Sequence, residues 1–110
     1  MSYKVQSLPT FDRQVKRLAK KYPSLKADLR SLFDSLREGA ALGRGCSKVR
    51  MAITSKKQGK SGGARVITFV KVTKEAVYLL SLYDKSEKKD LEPGELETHL
   101  EQISDDSGSI

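Results

Sequence analysis

The first third of the chain has the hydrophobic spacing of two amphipathic helices. Apolar residues recur at intervals of three and four, so each predicted helix has one apolar stripe and a polar opposite face. The first stripe consists of Phe11, Val15, Leu18, Ala19 and Tyr22, and the second of Leu25, Leu29, Leu32, Phe33 and Leu36. Pro23 ends the first helix because proline disfavours helical geometry in the residue before it. The short connection between the helices predicts an antiparallel helical hairpin.

The residues that flank these helices predict where each one begins. Thr10 is the expected N-cap of the first helix and Ser24 that of the second, because a hydroxyl can accept a hydrogen bond from a free backbone N–H. A short strand is predicted before them, over residues 3–7. Three glycines at positions 39, 43 and 45 end the helical region.

After this link the hydrophobic period changes from about 3.6 to 2, the period of β-strands. In residues 48–53, Val49, Met51 and Ile53 alternate with Lys48, Arg50 and Ala52. Lys48 and Arg50 are therefore predicted to share the sheet face away from the helices. Residues 64–72 and 76–83 are rich in β-branched and aromatic side chains and predict two more strands.

The order of these elements predicts an α+β fold of β-α-α-β-β-β type, with an optional last helix over residues 95–103. In this arrangement the helical hairpin packs on one face of a mainly antiparallel four-stranded sheet. A chain of 110 residues has room for one domain with a modest core. We expect that domain to span residues 1–104 and residues 105–110 to form a disordered tail.

Charge is distributed unevenly along the chain. Residues 39–74 contain nine lysines and arginines and no Asp or Glu, whereas residues 86–110 contain two basic and eight acidic side chains. A block of one sign on a folded sheet attracts polyanions, and nucleic acid is the obvious one. A solvated face that is basic by chance and a docking site for an acidic protein are the alternatives.

Several function classes have little support in the sequence. No apolar stretch approaches the roughly 18 residues of a membrane span, and the N-terminus lacks the apolar run of a secretory signal. Cys46 is the only cysteine and His99 the only histidine, so a cytoplasmic location is expected and a metal site is not. We expect His99 to lie on the surface and Cys46 to be a buried or incidental thiol. No cofactor is predicted.

Five residues could carry chemistry on the basic face, namely Lys48, Arg50, Arg65, Tyr83 and Lys85. RNA cleavage by its own 2′-hydroxyl needs a proton acceptor, charge stabilisation at phosphorus and a proton donor for the departing 5′-oxygen. The arginine fork suits the phosphate, and a lysine among other cations can have a lowered pKa and accept a proton. Gly62 and Gly63 are expected to let RNA approach Arg65 closely. The alternative is that these are ordinary residues of a sheet surface.

Three segments resemble the RelE/HigB superfamily of bacterial toxins from toxin-antitoxin modules, particularly its HigB-like members. They are SKVRMA, GKSGGARVITFV and VYLLSLYDKSEKKDL, and the helical opening FDRQVKRLAKKYPSLKADL is similar too. The resemblance covers roughly residues 8–96. It implies a microbial-ribonuclease-like fold, cleavage of mRNA in the ribosomal A site, and neutralisation by a cognate antitoxin protein.

The resemblance also implies roles for individual residues. Lys48 and Arg50 occupy the family's basic pair on the first strand after the helices, and Arg65 matches the phosphate-binding arginine of a GGxR segment. Tyr83 is the tyrosine of the LYxK segment, and Lys85 lies where the RelE branch often has an arginine. Some RelE proteins have a base-stacking tyrosine near the C-terminus, where this chain has Leu91, and this leaves the general acid and base unassigned.

The remaining predicted RNA contacts are cations that anchor the RNA backbone, on the link and on the flexible loop at 54–63: Arg44, Lys56, Lys57 and Lys60. The preferred function is a metal-independent, ribosome-dependent mRNA endonuclease. A ParE-like inhibitor of DNA gyrase with the same fold and a non-catalytic RNA-binding module are the alternatives.

Overall fold

The computed structural model describes residues 3–38, 45–57 and 59–103, and these form an α+β fold. The strands are β1 (Lys4–Ser7), β2 (Gly45–Met51), β3 (Ala64–Lys71) and β4 (Ala76–Asp84), and the helices are α1 (Pro9–Lys21), α2 (Leu25–Glu38) and α3 (Glu95–Glu101). The predicted fold class and order of elements are confirmed. The predicted tail at 105–110 and Arg44 lie outside the described residues, so both remain predictions.

The four strands form one sheet in the order β1-β4-β3-β2. The pairs β2–β3 and β3–β4 are antiparallel, whereas β1 runs parallel to β4. A parallel pair needs a long crossover connection, and α1 and α2 with the strands that follow supply it. The sheet is therefore mixed but mainly antiparallel, as predicted.

The helical hairpin covers one face of the sheet and builds the main core. Phe11, near the start of α1, packs against Phe33, near the end of α2, with ring centroids 6.4 Å apart. The two helices therefore run antiparallel. Leu18 and Leu82 are fully buried between the layers, and burial of a leucine of this kind contributes about 1.5–3 kcal/mol.

The prediction that Thr10 caps α1 is wrong. The helix begins one residue earlier, at Pro9, and its N-cap is Leu8, which makes no side-chain capping bond. Proline is well suited to the first helical turn because its missing N–H would have no helical partner there. The Thr10 hydroxyl instead bonds the side chain of Gln102, at 3.2 Å.

The second face of the sheet is not an open cationic surface as predicted, because the C-terminal segment covers much of it. Buried Ile67, Tyr78 and Leu80 form a second core cluster there, and Leu96 and Leu100 of α3 pack against it. The prediction of a surface histidine is also wrong. His99 is only 5% exposed, and its Nε2 lies 3.3 Å from Oε2 of Glu95. Lys48, Arg50 and Arg65 lie toward the end of β2 and β3 that is paired with the end of β4, whereas Lys71 lies beside Leu100 of α3.

A bulge in the β3–β4 ladder decides which face Tyr83 occupies. Ile67 pairs with Ser81 but the next residue, Thr68, pairs with Leu79, so β4 has one extra residue at Leu80. An extra residue shifts the two-residue alternation of a strand by one. Beyond the bulge Tyr83 therefore belongs to the second core cluster, on the same face as Arg65.

Candidate nucleic-acid interface

Three of the five predicted site residues form a row across the sheet. Arg50 of β2 is paired with Arg65 of β3, and Arg65 is paired with Tyr83 of β4. Neighbouring strands lie about 4.8 Å apart, so the row is about 10 Å wide. Like charges directly opposite each other destabilise a sheet. A site that binds an anion gives a reason for two arginines to occupy such a pair.

Arg65 is 5% exposed, and its guanidinium holds the loop that precedes it. Nη1 donates to the carbonyl oxygens of Lys60 and Ala64 at 2.9 and 3.1 Å, and Nη2 to that of Ser61 at 3.3 Å. A guanidinium has five N–H donors. Nε–H and one Nη2 hydrogen therefore have no acceptor within the described residues, and they are the donors that remain for a phosphate.

Gly63 has a structural role in place of the RNA contact that was predicted for it. A Cβ on Gly63 would lie 2.2 Å from the backbone oxygen of Met51, so glycine is required for the loop to pack against β2. The backbone of Met51, and not RNA, is the group that lies close to Gly63. Gly63 is buried, so it is not open to RNA in this structure.

Tyr83 is 4% exposed, and its hydroxyl has no hydrogen-bond partner among the described residues. Burial raises the pKa of Tyr83, although the nearby cations Lys48 and Arg65 act in the opposite direction. The phenol is therefore protonated at neutral pH and can donate a proton. The amine of Lys88 lies 5.9 Å from the centre of the ring, so the ring is covered and cannot stack on a base in this conformation.

Lys48 is on the same exposed side of β2 as Arg50, as predicted. Its Nζ lies 2.9 Å from Oδ1 of Asp90, a residue in the segment that follows β4. The hydrogen bond with Asp90 raises the pKa of Lys48. The expectation of a lowered lysine pKa is therefore wrong for Lys48 in this conformation, where the side chain is a fixed positive charge.

Lys85 lies immediately after β4 and continues the ladder, because its backbone N–H donates to the carbonyl of Gly63 at 3.0 Å. Its Nζ donates to the carbonyl of Lys89 at 2.8 Å. The charge of Lys85 also contributes to a lowered pKa of Asp90, after the larger effect of the hydrogen bond from Lys48. Lys85 and Lys48 thus face the same carboxylate.

Lys56 does not lie among the exposed loop cations where it was predicted. Its side chain is 7% exposed, and its Nζ lies 2.8 Å from Oδ1 of fully buried Asp84. Asp84 also accepts hydrogen bonds from the Tyr22 hydroxyl and from the backbone N–H and hydroxyl of Ser86. Burial alone would raise the pKa of Asp84, but the hydrogen bonds from Lys56, Tyr22 and Ser86 outweigh it and hold the pKa far below its ordinary value.

The start of the loop is fixed to the helices. Asp28 of α2 accepts hydrogen bonds from the backbone N–H and hydroxyl of Thr54, at 2.9 and 2.6 Å, and the Ser24 hydroxyl accepts one from the backbone of Ser55. Lys57 and Lys60 are exposed and remain proposed contacts to an RNA backbone. The loop is therefore anchored at its first residues, contrary to the expectation of a uniformly flexible segment.

Sequence reasoning missed two carboxylates that shape the site. Asp84 is adjacent to Tyr83, and Asp90 lies in the KKDL segment. Alternation along β4 places Asp84 on the face opposite Tyr83, but no periodic signal indicates its lysine partner. Asp90 follows the last strand, where no periodicity applies.

The described residues have neither a metal-binding cluster nor a membrane-spanning helix. In the part of the chain that the structure describes, no group of three or more His, Cys, Asp and Glu side chains is placed to hold a metal ion. Within the same residues no helix is long and apolar enough to cross a membrane.

The chain matches a known class of toxins. A family model for the RelE toxin of the RelE/RelB toxin-antitoxin system matches residues 4–106. The chain therefore belongs to the RelE toxin family. No curated protein matches it.

A solved structure shows the same fold. A double arginine-to-alanine mutant of the E. coli toxin RelE in the free state superposes with a TM-score of 0.53 at 18% sequence identity. The match covers 94% of this chain and 100% of the E. coli chain. The resemblance to RelE toxins noted in the sequence is thus confirmed, while the closer likeness to HigB remains a prediction.

Proposed function

We propose that this toxin is a metal-independent endoribonuclease that cleaves mRNA in the ribosomal A site and so inhibits translation in the cytoplasm. The observation that carries the proposal is the cross-strand row in which Arg50 faces Arg65 and Arg65 faces Tyr83. This arrangement combines two guanidinium groups for a phosphate with a protonated phenol. Family membership supports the same function.

The row suits cleavage by the 2′-hydroxyl of the RNA. The 2′-oxygen attacks phosphorus, the bond to the 5′-oxygen breaks, and a 2′,3′-cyclic phosphate forms. Arg65 and Arg50 stabilise the added negative charge on the phosphate oxygens. The Tyr83 hydroxyl, whose raised pKa keeps it protonated, donates to the departing 5′-oxygen. Lys85, in its neutral amine form, is the group proposed to accept the proton that the 2′-hydroxyl loses.

The proposed partners follow from the charge of the chain and from its family. The exposed cations around the row would contact ribosomal RNA as well as the message, since phosphate contacts are independent of sequence. A cognate antitoxin protein would neutralise the toxin, and acidic groups that compete for the same cations are the expected means.

Replacing Arg65 tests the role of the row. Arg65→Ala should lower mRNA cleavage on ribosomes by about 10²–10³-fold, the usual loss when one donor to a developing oxyanion is removed. Because Arg65 also holds loop carbonyls, Arg65→Lys is the matched variant, which keeps the charge and loses the fork. A folded Arg65→Ala protein that cleaves at the parental rate would show that Arg65 has no role in cleavage.

The products distinguish the proposed chemistry from its alternatives. Primer extension after induction should show cuts in mRNA, and the fragments should end in a 2′,3′-cyclic phosphate or a 3′-phosphate and form in the presence of EDTA that leaves ribosomes intact. Fragments with 3′-hydroxyl ends would indicate metal-assisted hydrolysis instead. Growth arrest with intact mRNA and inhibited gyrase would indicate the ParE-like function.

A further inference from the structure

The segment after β4 places a carboxylate beside the cationic row. Oδ1 of Asp90 is 2.9 Å from Nζ of Lys48 and also accepts the backbone N–H of Leu91 at 2.8 Å. The charges of Lys48 and Lys85 act on Asp90, and that of Asp90 acts on Tyr83. A carboxylate therefore lies at Lys48 and close to Tyr83 and Lys85, the two groups that the proposed function assigns to proton transfer.

The same segment covers Tyr83. Lys88 lies over the tyrosine ring, and Leu91 packs in the cluster that contains Tyr83. The buried hydroxyl of Tyr83 has no partner in the described part of the chain, and an unsatisfied buried hydroxyl costs free energy. A hydroxyl in this state is satisfied when a ligand oxygen reaches it, and movement of residues 88–91, which contain two of the side chains packed against Tyr83, would expose it.

The bond between Asp90 and Lys48 can open easily. The side chains of Lys48 and Asp90 are 45% and 64% exposed, and ion pairs with this exposure contribute little to stability because water and salt screen them. An RNA phosphate brings the same charge and the same kind of oxygen acceptor as the carboxylate. It can therefore replace Asp90 at Lys48 without leaving a buried charge unpaired.

We propose that Asp90 is a latch that occupies a phosphate position at Lys48, beside the row, in the free toxin, and that an RNA phosphate displaces it to reach Lys48 and Tyr83. The proposal rests on the proposed function for the nature of the ligand. In this proposal the segment 88–91 competes with RNA for Lys48 within the same chain. Removal of the Asp90 charge should therefore strengthen RNA binding by more than a general change in net charge does.

The test is binding of a short single-stranded RNA oligonucleotide with 2′-O-methyl groups, which the toxin cannot cleave by the proposed route. Asp90→Asn should bind it about two- to fivefold more tightly than wild type at low salt, the range set by an exposed ion pair. Asp34→Asn is the matched control, because Asp34 forms another exposed pair, with Arg37 at 2.8 Å, on α2. It changes the net charge equally and should show only the smaller, general effect.

A double-mutant cycle identifies the partner of the latch. In a Lys48→Met background, Asp90→Asn should gain no more affinity than Asp34→Asn does. Equal gains for Asp90→Asn and Asp34→Asn in the parental background, or weaker RNA binding by Asp90→Asn, would overturn the latch. Absence of mRNA cleavage by the wild-type toxin would overturn the proposed nuclease function alone, since the binding assay needs no cleavage.

Discussion

Two lysine–aspartate pairs of similar length lie on opposite faces of the sheet and differ in almost every other respect. Lys56 and Asp84 are 2.8 Å apart with side chains 7% and 0% exposed, whereas Lys48 and Asp90 are 2.9 Å apart and well exposed. The buried carboxylate has further hydrogen bonds from the side chains of Tyr22 and Ser86. Distance alone thus does not separate a structural ion pair from a displaceable one; burial and additional side-chain partners do.

The largest expected effect comes from breaking the buried pair. Lys56→Met should lower the free energy of unfolding by about 3–5 kcal/mol, because it leaves the Asp84 charge buried with fewer partners. Urea denaturation measures this decrease. If the single variant does not fold, Lys56→Met combined with Asp84→Leu should recover much of the stability, since no buried charge is then left unpaired. A single variant as stable as wild type would contradict the structural role of Lys56.

The same comparison predicts a dependence on pH. The pKa of Asp84 is lowered in the folded protein, so its contribution to stability is complete above the unfolded pKa of about 3.9 and disappears as the pH falls toward the folded value. Acidification from about pH 5 to about pH 3 should cost on the order of 1–2 kcal/mol more in wild type than in Asp84→Asn. Asp90→Asn should stay much closer to wild type, because solvent screens the exposed pair that lowers the pKa of Asp90. Identical acid sensitivity of the two variants would remove the distinction between the pairs.

The exposed loop cations should affect RNA binding and leave stability unchanged. Lys57→Gln with Lys60→Gln should weaken binding of single-stranded RNA and lower the slope of log affinity against log salt by about 0.7 for each lysine–phosphate interaction that the substitutions remove. Lys56 stays unchanged in this variant because its replacement would disturb the fold. Lys16→Gln with Lys20→Gln, two lysines of α1, is the control with equal charge. If the two variants had the same slope of log affinity against log salt, the loop lysines would not contact RNA.

The smallest effect is expected from the exposed pair. Lys48→Met should leave the Tm at the wild-type value, because the substitution removes only a solvent-screened ion pair. Differential scanning calorimetry of Lys48→Met beside Lys56→Met provides the comparison in one experiment. A Tm for Lys48→Met that falls as far as that of Lys56→Met would show that both pairs are structural.

The sequence by itself determined the fold class and most of the elements. The apolar stripes of α1 and α2 and the alternation in β2 are local patterns with periods of about 3.6 and 2, and such patterns are readable without tertiary information. The exposed side of Lys48 and Arg50 followed from the same alternation. The N-cap at Thr10 was wrong because Pro9 fits the first helical turn equally well, and only the backbone decides between the two starts.

Tertiary structure alone decided the composition of the site. The register that places Arg50, Arg65 and Tyr83 in one row depends on strand pairing and on the bulge at Leu80, and neither has a periodic signature. Whether a lysine is buried, as Lys56 is, or exposed, as Lys48 is, depends on a carboxylate 28 or 42 residues away in sequence. Ion pairs of this kind form between distant segments that folding brings together, so a local pattern holds no information about them.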